Sequence, residues 1–163
     1  MHLQQLFKMQ KSLDTYIQSE KKITNDVFLE KGLALLVELA ELANETRCFK
    51  FWSEKGPSEK HVILEEYVDS IHFLLSLGIE KNLNDLENWP VHQQHKDESL
   101  TMLFIHTQDS INQFLQISTI DNYENVWSWY GAVASKLGFT HEEIIQAYFD
   151  KNEKNYERQR SGY

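Results

Sequence analysis

The sequence predicts an all-α fold, a bundle of about six helices, and three observations predict it. Apolar residues recur at three- and four-residue steps through most of the chain. Only two prolines and six glycines punctuate the 163 residues, so long helices can run uninterrupted. No convincing strand pair, internal repeat or low-complexity tract interrupts the helical pattern. With 41% hydrophobic and 12% aromatic residues, the chain can bury one core, and residues 1–163 read as a single domain.

The elements follow in order. Leu3, Leu6, Met9, Leu13 and Ile17 stripe a first amphipathic helix that ends near "SEKK". Thr24 or Asn25 offers a cap for a second helix, from about Asp26 to about Glu45. "RCFKFWSEKGPSEK" is a polar connection whose Gly-Pro-Ser marks the start of a third helix, from about Ser58 to Leu77, with Gly78 as terminator. "NLNDLENWPVHQQHKDES" reads as a loop long enough to cover something. Three more helices fit the rest: about Glu98–Leu115, Tyr123–Leu137 and Glu142–Arg158. Thr140 with Glu143 three residues on forms a capping box for the last.

Charge and cysteine usage exclude several function classes. A net charge of −9 argues against general affinity for nucleic acid, although metal ions and a few Lys or Arg can reverse the field within a site. A single cysteine, Cys48, cannot form an intrachain disulfide, which suits a reducing compartment. The start "MHLQQLFKMQKSLD" lacks a signal-peptide pattern, and no uncharged run approaches the roughly 20 residues that span a bilayer. The expectation is a soluble, cytoplasmic protein with no membrane partner.

The chemistry begins with misplaced acids. "LALLVELAELANETRCFKFWSEKG" carries Glu38 and Glu41 inside an apolar helix, and "HVILEEYVDSIHFLLSLG" carries Glu66 and Asp69 inside another. Residues three apart lie about 60° apart around a helix, so each pair shares one face. An isolated Glu-x-x-Glu is ordinarily a solvated face, but two such pairs within two apolar helices are not. At about 5 Å and an effective dielectric near 20, each like-charge contact costs roughly 3 kcal/mol. That is a large share of a net stability of about 5–15 kcal/mol. Neither apolar stretch, residues 33–43 or 61–78, holds a Lys or Arg to act as an internal partner, so a bound cation is the simplest resolution. An all-oxygen donor set favours Mg²⁺, with Mn²⁺ as substitute, and such a site commonly faces phosphate. Glu45, on the Glu38 face, is a possible fifth ligand, and Glu65 reads as peripheral.

These residues resemble a known family. "ELAE", 23 residues, then "EEYVD" is similar to the E-x-x-E…E-x-x-D signature of the all-α nucleoside triphosphate pyrophosphatases, which include MazG-like enzymes and dimeric dUTPases. The carboxylates alone do not choose between these. Further stretches resemble the dimeric dUTPases: "MQKSLD" with Gln10, "FKFW" with Trp52, "DSIHFLLS", and "KNEKNYERQRSGY", the most specific. The resemblance implies Mg²⁺-dependent hydrolysis of dUTP and dUDP to dUMP by a homodimer. It implies two or three ions on Glu38, Glu41, Glu66 and Asp69, with Glu38 or Glu41 also deprotonating a water. Gln10, Asp14, Trp52 and Asn155 would contact the nucleoside, and Lys151 and Arg158 the phosphates. Asp14 stands where the first motif carries an Asn, a departure that bears on base contacts. A MazG-like or dCTP-directed pyrophosphatase is the alternative.

Spacing alone puts Lys151, Asn155 and Arg158 on one helical face, which suits a polyphosphate and a base or sugar edge as well as a solvated tail. His72 reads as a packed, hydrogen-bonded histidine rather than a ligand. His92 and His95 read as exposed. Trp127, Trp129 and Tyr130 read as core or subunit interface, and the breadth of the fourth helix's apolar surface, from Phe104 to Ile117, suggests a partner subunit. A di-iron bundle would need Glu-x-x-His pairs, which the chain lacks. A helical module with merely solvated acids is the remaining rival.

Overall fold

A computed structural model of the chain describes residues 2–90 and 97–162. His92, His95 and Tyr163 lie outside the described residues. Six helices follow one another: α1 (Gln4–Glu20), α2 (Phe28–Thr46), α3 (Lys60–Glu80), α4 (Leu100–Gln116), α5 (Ile120–Leu137) and α6 (His141–Arg160). Among the described residues there is no strand, only an isolated bridge between His2 and Asn88. No described helix is long and apolar enough to cross a membrane.

The third helix is the axis of the bundle. Its residues Ile63, Tyr67, Val68, Ile71, Leu74, Leu75 and Leu77 are all buried, because they point in nearly every direction around the helix and neighbours cover each side. The second helix lies antiparallel to it, with Lys31 meeting Glu80 at 2.5 Å at one end and the Ser58 hydroxyl meeting Glu45 at the other. The first helix runs parallel to α3, with Gln10 beside His72 and Asp14 beside Ser76. The last helix adds Tyr148 and Lys151 to the same end. Antiparallel α4 and α5 close the other side, where Trp127, Tyr123, Tyr130 and Phe114 are fully buried.

Local signals hold in some places and yield in others. The Thr140–Glu143 capping box opens α6 with both reciprocal bonds present. The α2 start is held by neither Thr24 nor Asn25: the Asp26 carboxylate accepts the Phe28 N–H at 2.8 Å. Gly78 does not end α3, which continues to Glu80. A Cβ at Gly78 would lie 2.2 Å from the Tyr123 hydroxyl, which donates to the Leu74 carbonyl. The glycine is there for this close approach. The connection after α3 begins as a strap: Glu87 accepts the Leu3 N–H at 2.8 Å, and buried Trp89 donates to the Trp127 carbonyl.

Candidate functional site

The antiparallel pairing of α2 and α3 brings their acids face to face. One carboxylate oxygen from each of Glu38, Glu66 and Asp69 falls within 4.8 Å of the others, and all three residues are half-buried. Glu41 is exposed at the rim, outside that set, yet close enough to raise the proton affinity of Glu38 and Glu66. Burial, then the charges of Asp69, Glu41 and Glu66, push the Glu38 pKa up to about 7. Burial and the neighbouring acids also raise Glu66, and burial raises Asp69 against the pull of Lys151. Like charges in a partly dry cleft therefore resist ionisation together.

A protein cation does reach the cluster, contrary to the sequence expectation. It comes from a distant helix. The Lys151 ammonium, buried on α6, donates to Asp69 at 2.6 Å and to Glu65 at 3.1 Å. Burial works against its charge, but these bonds more than offset that and leave its pKa raised. Glu65 is thus a working partner of Lys151, and its own pKa is lowered by that bond.

A cavity of about 310 Å³ opens beside the carboxylates, with Glu38, Asp69 and Lys151 in its wall. Its far end is lined by Gln10, Asp14, Lys31, His72 and Ser76. The Gln10 side chain is buried and bonded on both sides: Nε2 donates to Asp14 at 2.8 Å, while Oε1 accepts from Tyr148 at 2.9 Å and meets His72 Nδ1 at 2.8 Å. His72 is 6% exposed, stacks on Tyr148 at 4.2 Å between centroids, and is held neutral by burial, its pKa down to about 3. It is the packed, hydrogen-bonded histidine expected from the sequence. Asn155 and Arg158 also line the cavity.

Trp52 stands elsewhere. It is 66% exposed in a cluster with Phe49 and Phe51, outside the cavity wall of this chain. Arg47 holds that segment, bonding Ser53 and the Lys55 carbonyl after ending α2 in a left-handed turn. Sequence reasoning missed Lys31 and Ser76, although a signal existed. Lys31 precedes Glu38 by seven residues and Ser76 follows Asp69 by seven, so each shares a face with a named acid.

No curated protein matches the chain. A family model described as dUTPase matches residues 2–163.

Proposed function

Because the chain belongs to the dUTPase family, in its dimeric all-α form, and is thereby a dUTP diphosphatase, we propose that it works as a Mg²⁺-dependent enzyme on both dUTP and dUDP. The products are dUMP with pyrophosphate or phosphate. The carrying observation is the junction of two features: the Glu38, Glu66 and Asp69 oxygens adjoin a cavity whose other end is built from amide, imidazole and carboxylate groups. One end suits cation-bound phosphate and the other a base edge.

The donor set fits the metal. Three oxygens from three carboxylates within 4.8 Å suit a hard divalent ion, and the raised proton affinity of Glu38 marks a site short of positive charge. Mg²⁺ on Glu38, Glu66 and Asp69, with Glu41 at the rim, would supply charge neutralisation at the phosphate oxygens. Glu38 faces the cavity and serves better than exposed Glu41 to orient a water and take its proton during attack on phosphorus. Lys151 and Arg158 stand where phosphate oxygens would compete for them, and Lys151 would exchange Asp69 for phosphate as substrate enters. Gln10 and Asn155 hold the nucleoside, with Asp14 bonded to the Gln10 amide. Trp52 reaches a nucleoside only from another copy or after movement of its segment.

The homodimer reading draws on exposed apolar surface. Leu29, Leu33 and Val37 lie at four-residue steps on α2 and are exposed. Met102 and Ile105 are exposed on α4, which packs antiparallel to α2, and Phe49, Phe51 and Trp52 extend the apolar surface. Residues 1–163 act as one domain, and the lone Cys48 supports a reducing, cytoplasmic setting.

The test is product release from dUTP, dUDP, dCTP and the ribonucleotides, with Mg²⁺ and with EDTA. Mg²⁺-dependent formation of dUMP from both uracil substrates supports the proposal. Faster turnover of dCTP than of dUTP would move the assignment to a dCTP-directed enzyme, and full activity in EDTA would sink the metal role.

A further inference from the structure

The amide of Gln10 lies at the centre of a hydrogen-bond network that has two possible polarities. Turned over, the amide would fill the same space with its oxygen and nitrogen exchanged. Tyr148 would tolerate that exchange, because a hydroxyl can donate or accept. His72 would tolerate it as well, because either ring nitrogen of a neutral imidazole can carry the proton. Asp14 would not: a carboxylate accepts only, and its Oδ1 lies 2.8 Å from Gln10 Nε2. Its other oxygen accepts from the Ser76 hydroxyl at 2.5 Å and pairs with the charge of the Lys31 ammonium 3.6 Å away.

We propose that Asp14 is a specificity-determining positioning residue, which locks this network in one polarity so that the cavity distinguishes uracil from cytosine. The inference rests on reading the cavity as the base site. With Gln10 Nε2 turned to Asp14, Oε1 faces Tyr148 and His72, and both must donate to it. His72 then carries its proton on Nδ1, and Nε2 is left as a lone-pair acceptor. That atom is buried and has no hydrogen-bond partner among the described residues, and His72 lines the cavity. Of the buried side-chain atoms without a partner, this acceptor belongs to a residue of the cavity wall, where a ligand can supply the donor. Gln10 Nε2 keeps a second N–H after Asp14 takes the first.

The network behind the cavity wall thus holds one N–H and one lone pair whose roles cannot interchange. Uracil and cytosine share an outline but invert donor and acceptor at ring positions 3 and 4. A network free to reverse would take either base in one seat. A locked network that seats uracil meets cytosine with a donor against a donor and a lone pair against a lone pair. An Asn at position 14, with an amide that can itself turn over, would hold the polarity only weakly.

Two measurements test this on the full-length protein. The first is ¹⁵N-resolved NMR of the His72 ring, with its signals identified by their loss in His72→Gln. The expected result is the neutral tautomer protonated at Nδ1 in the wild type and a mixture in Asp14→Asn. A wild-type ring protonated at Nε2 overturns the proposal, whether or not the variant folds. The second is calorimetric binding of dUMP and dCMP in EDTA. The wild type should prefer dUMP, and Asp14→Asn should lose about tenfold or more of that preference. An unchanged ratio in a folded variant overturns the role of Asp14 alone. Equal wild-type binding of the two nucleotides overturns the base-site reading, and the proposal with it.

Discussion

Glu38 should make the metal-free protein less stable as pH rises, and the size of the effect can be worked out. Its pKa stands near 7 in the fold against 4.5 for an unperturbed glutamate, chiefly through burial and then the charges of Asp69, Glu41 and Glu66. The folded state therefore holds a proton that the unfolded state has released between those values. Its contribution is fully present below pH 4.5 and is lost as pH climbs through 7. At about 1.4 kcal/mol per pH unit the undiscounted loss would be near 3.4 kcal/mol. The group is only half-buried, so solvent screening reduces this to about 1–2 kcal/mol. His72 acts in the opposite direction. Its pKa falls from 6.5 to about 3, so its contribution grows as pH rises to 6.5 and is constant above. The wild-type profile mixes the two, and a comparison with Glu38→Gln separates them. In EDTA, urea unfolding should show the variant about 1–2 kcal/mol more stable than the wild type at pH 8, with the gap near zero at pH 4.5. Added Mg²⁺ should reverse the order at pH 8, because the ion binds the ionised carboxylate. A gap that stays constant from pH 4.5 to 8 would refute the account of a charge-starved cluster.

Three further predictions follow from single contacts. Lys151→Met removes the ammonium from Asp69 and Glu65, and should cost about 2 kcal/mol of stability in EDTA, with much of the loss recovered in Mg²⁺. An equal melting-temperature loss in both conditions would mean that the side chain serves packing rather than charge. Gly78→Ala forces its Cβ against the Tyr123 hydroxyl and breaks the bond to Leu74, for a loss of about 3 kcal/mol by chemical denaturation. Leu33→Glu places a charge on the exposed apolar face of α2 and should convert a dimeric wild type to monomer in sedimentation velocity. An unchanged sedimentation coefficient would move the interface elsewhere.

What the sequence determined alone is what depends on neighbours along the chain. Helical spacing of apolar residues identifies six helices, because periodicity reports which face each must bury. The capping box at Thr140 is local in the same sense, and it opens α6 where expected. The acids could be picked out because Glu38 with Glu41, and Glu66 with Asp69, share faces set by helix geometry. Contacts between helices were decided by docking. Lys151 reaches Asp69 across 82 residues and Gln10 meets His72 across 62, distances over which local periodicity carries no information. The same reason explains where the local signals and the fold part. Gly78 satisfies a local stop signal, yet the helix continues because Tyr123 needs the space. Glu41 shares the Glu38 face in sequence, but the crossing of α2 and α3 leaves it at the rim while Asp69 lies inside. Local chemistry supplies the groups, and only the packing of helices decides which of them meet.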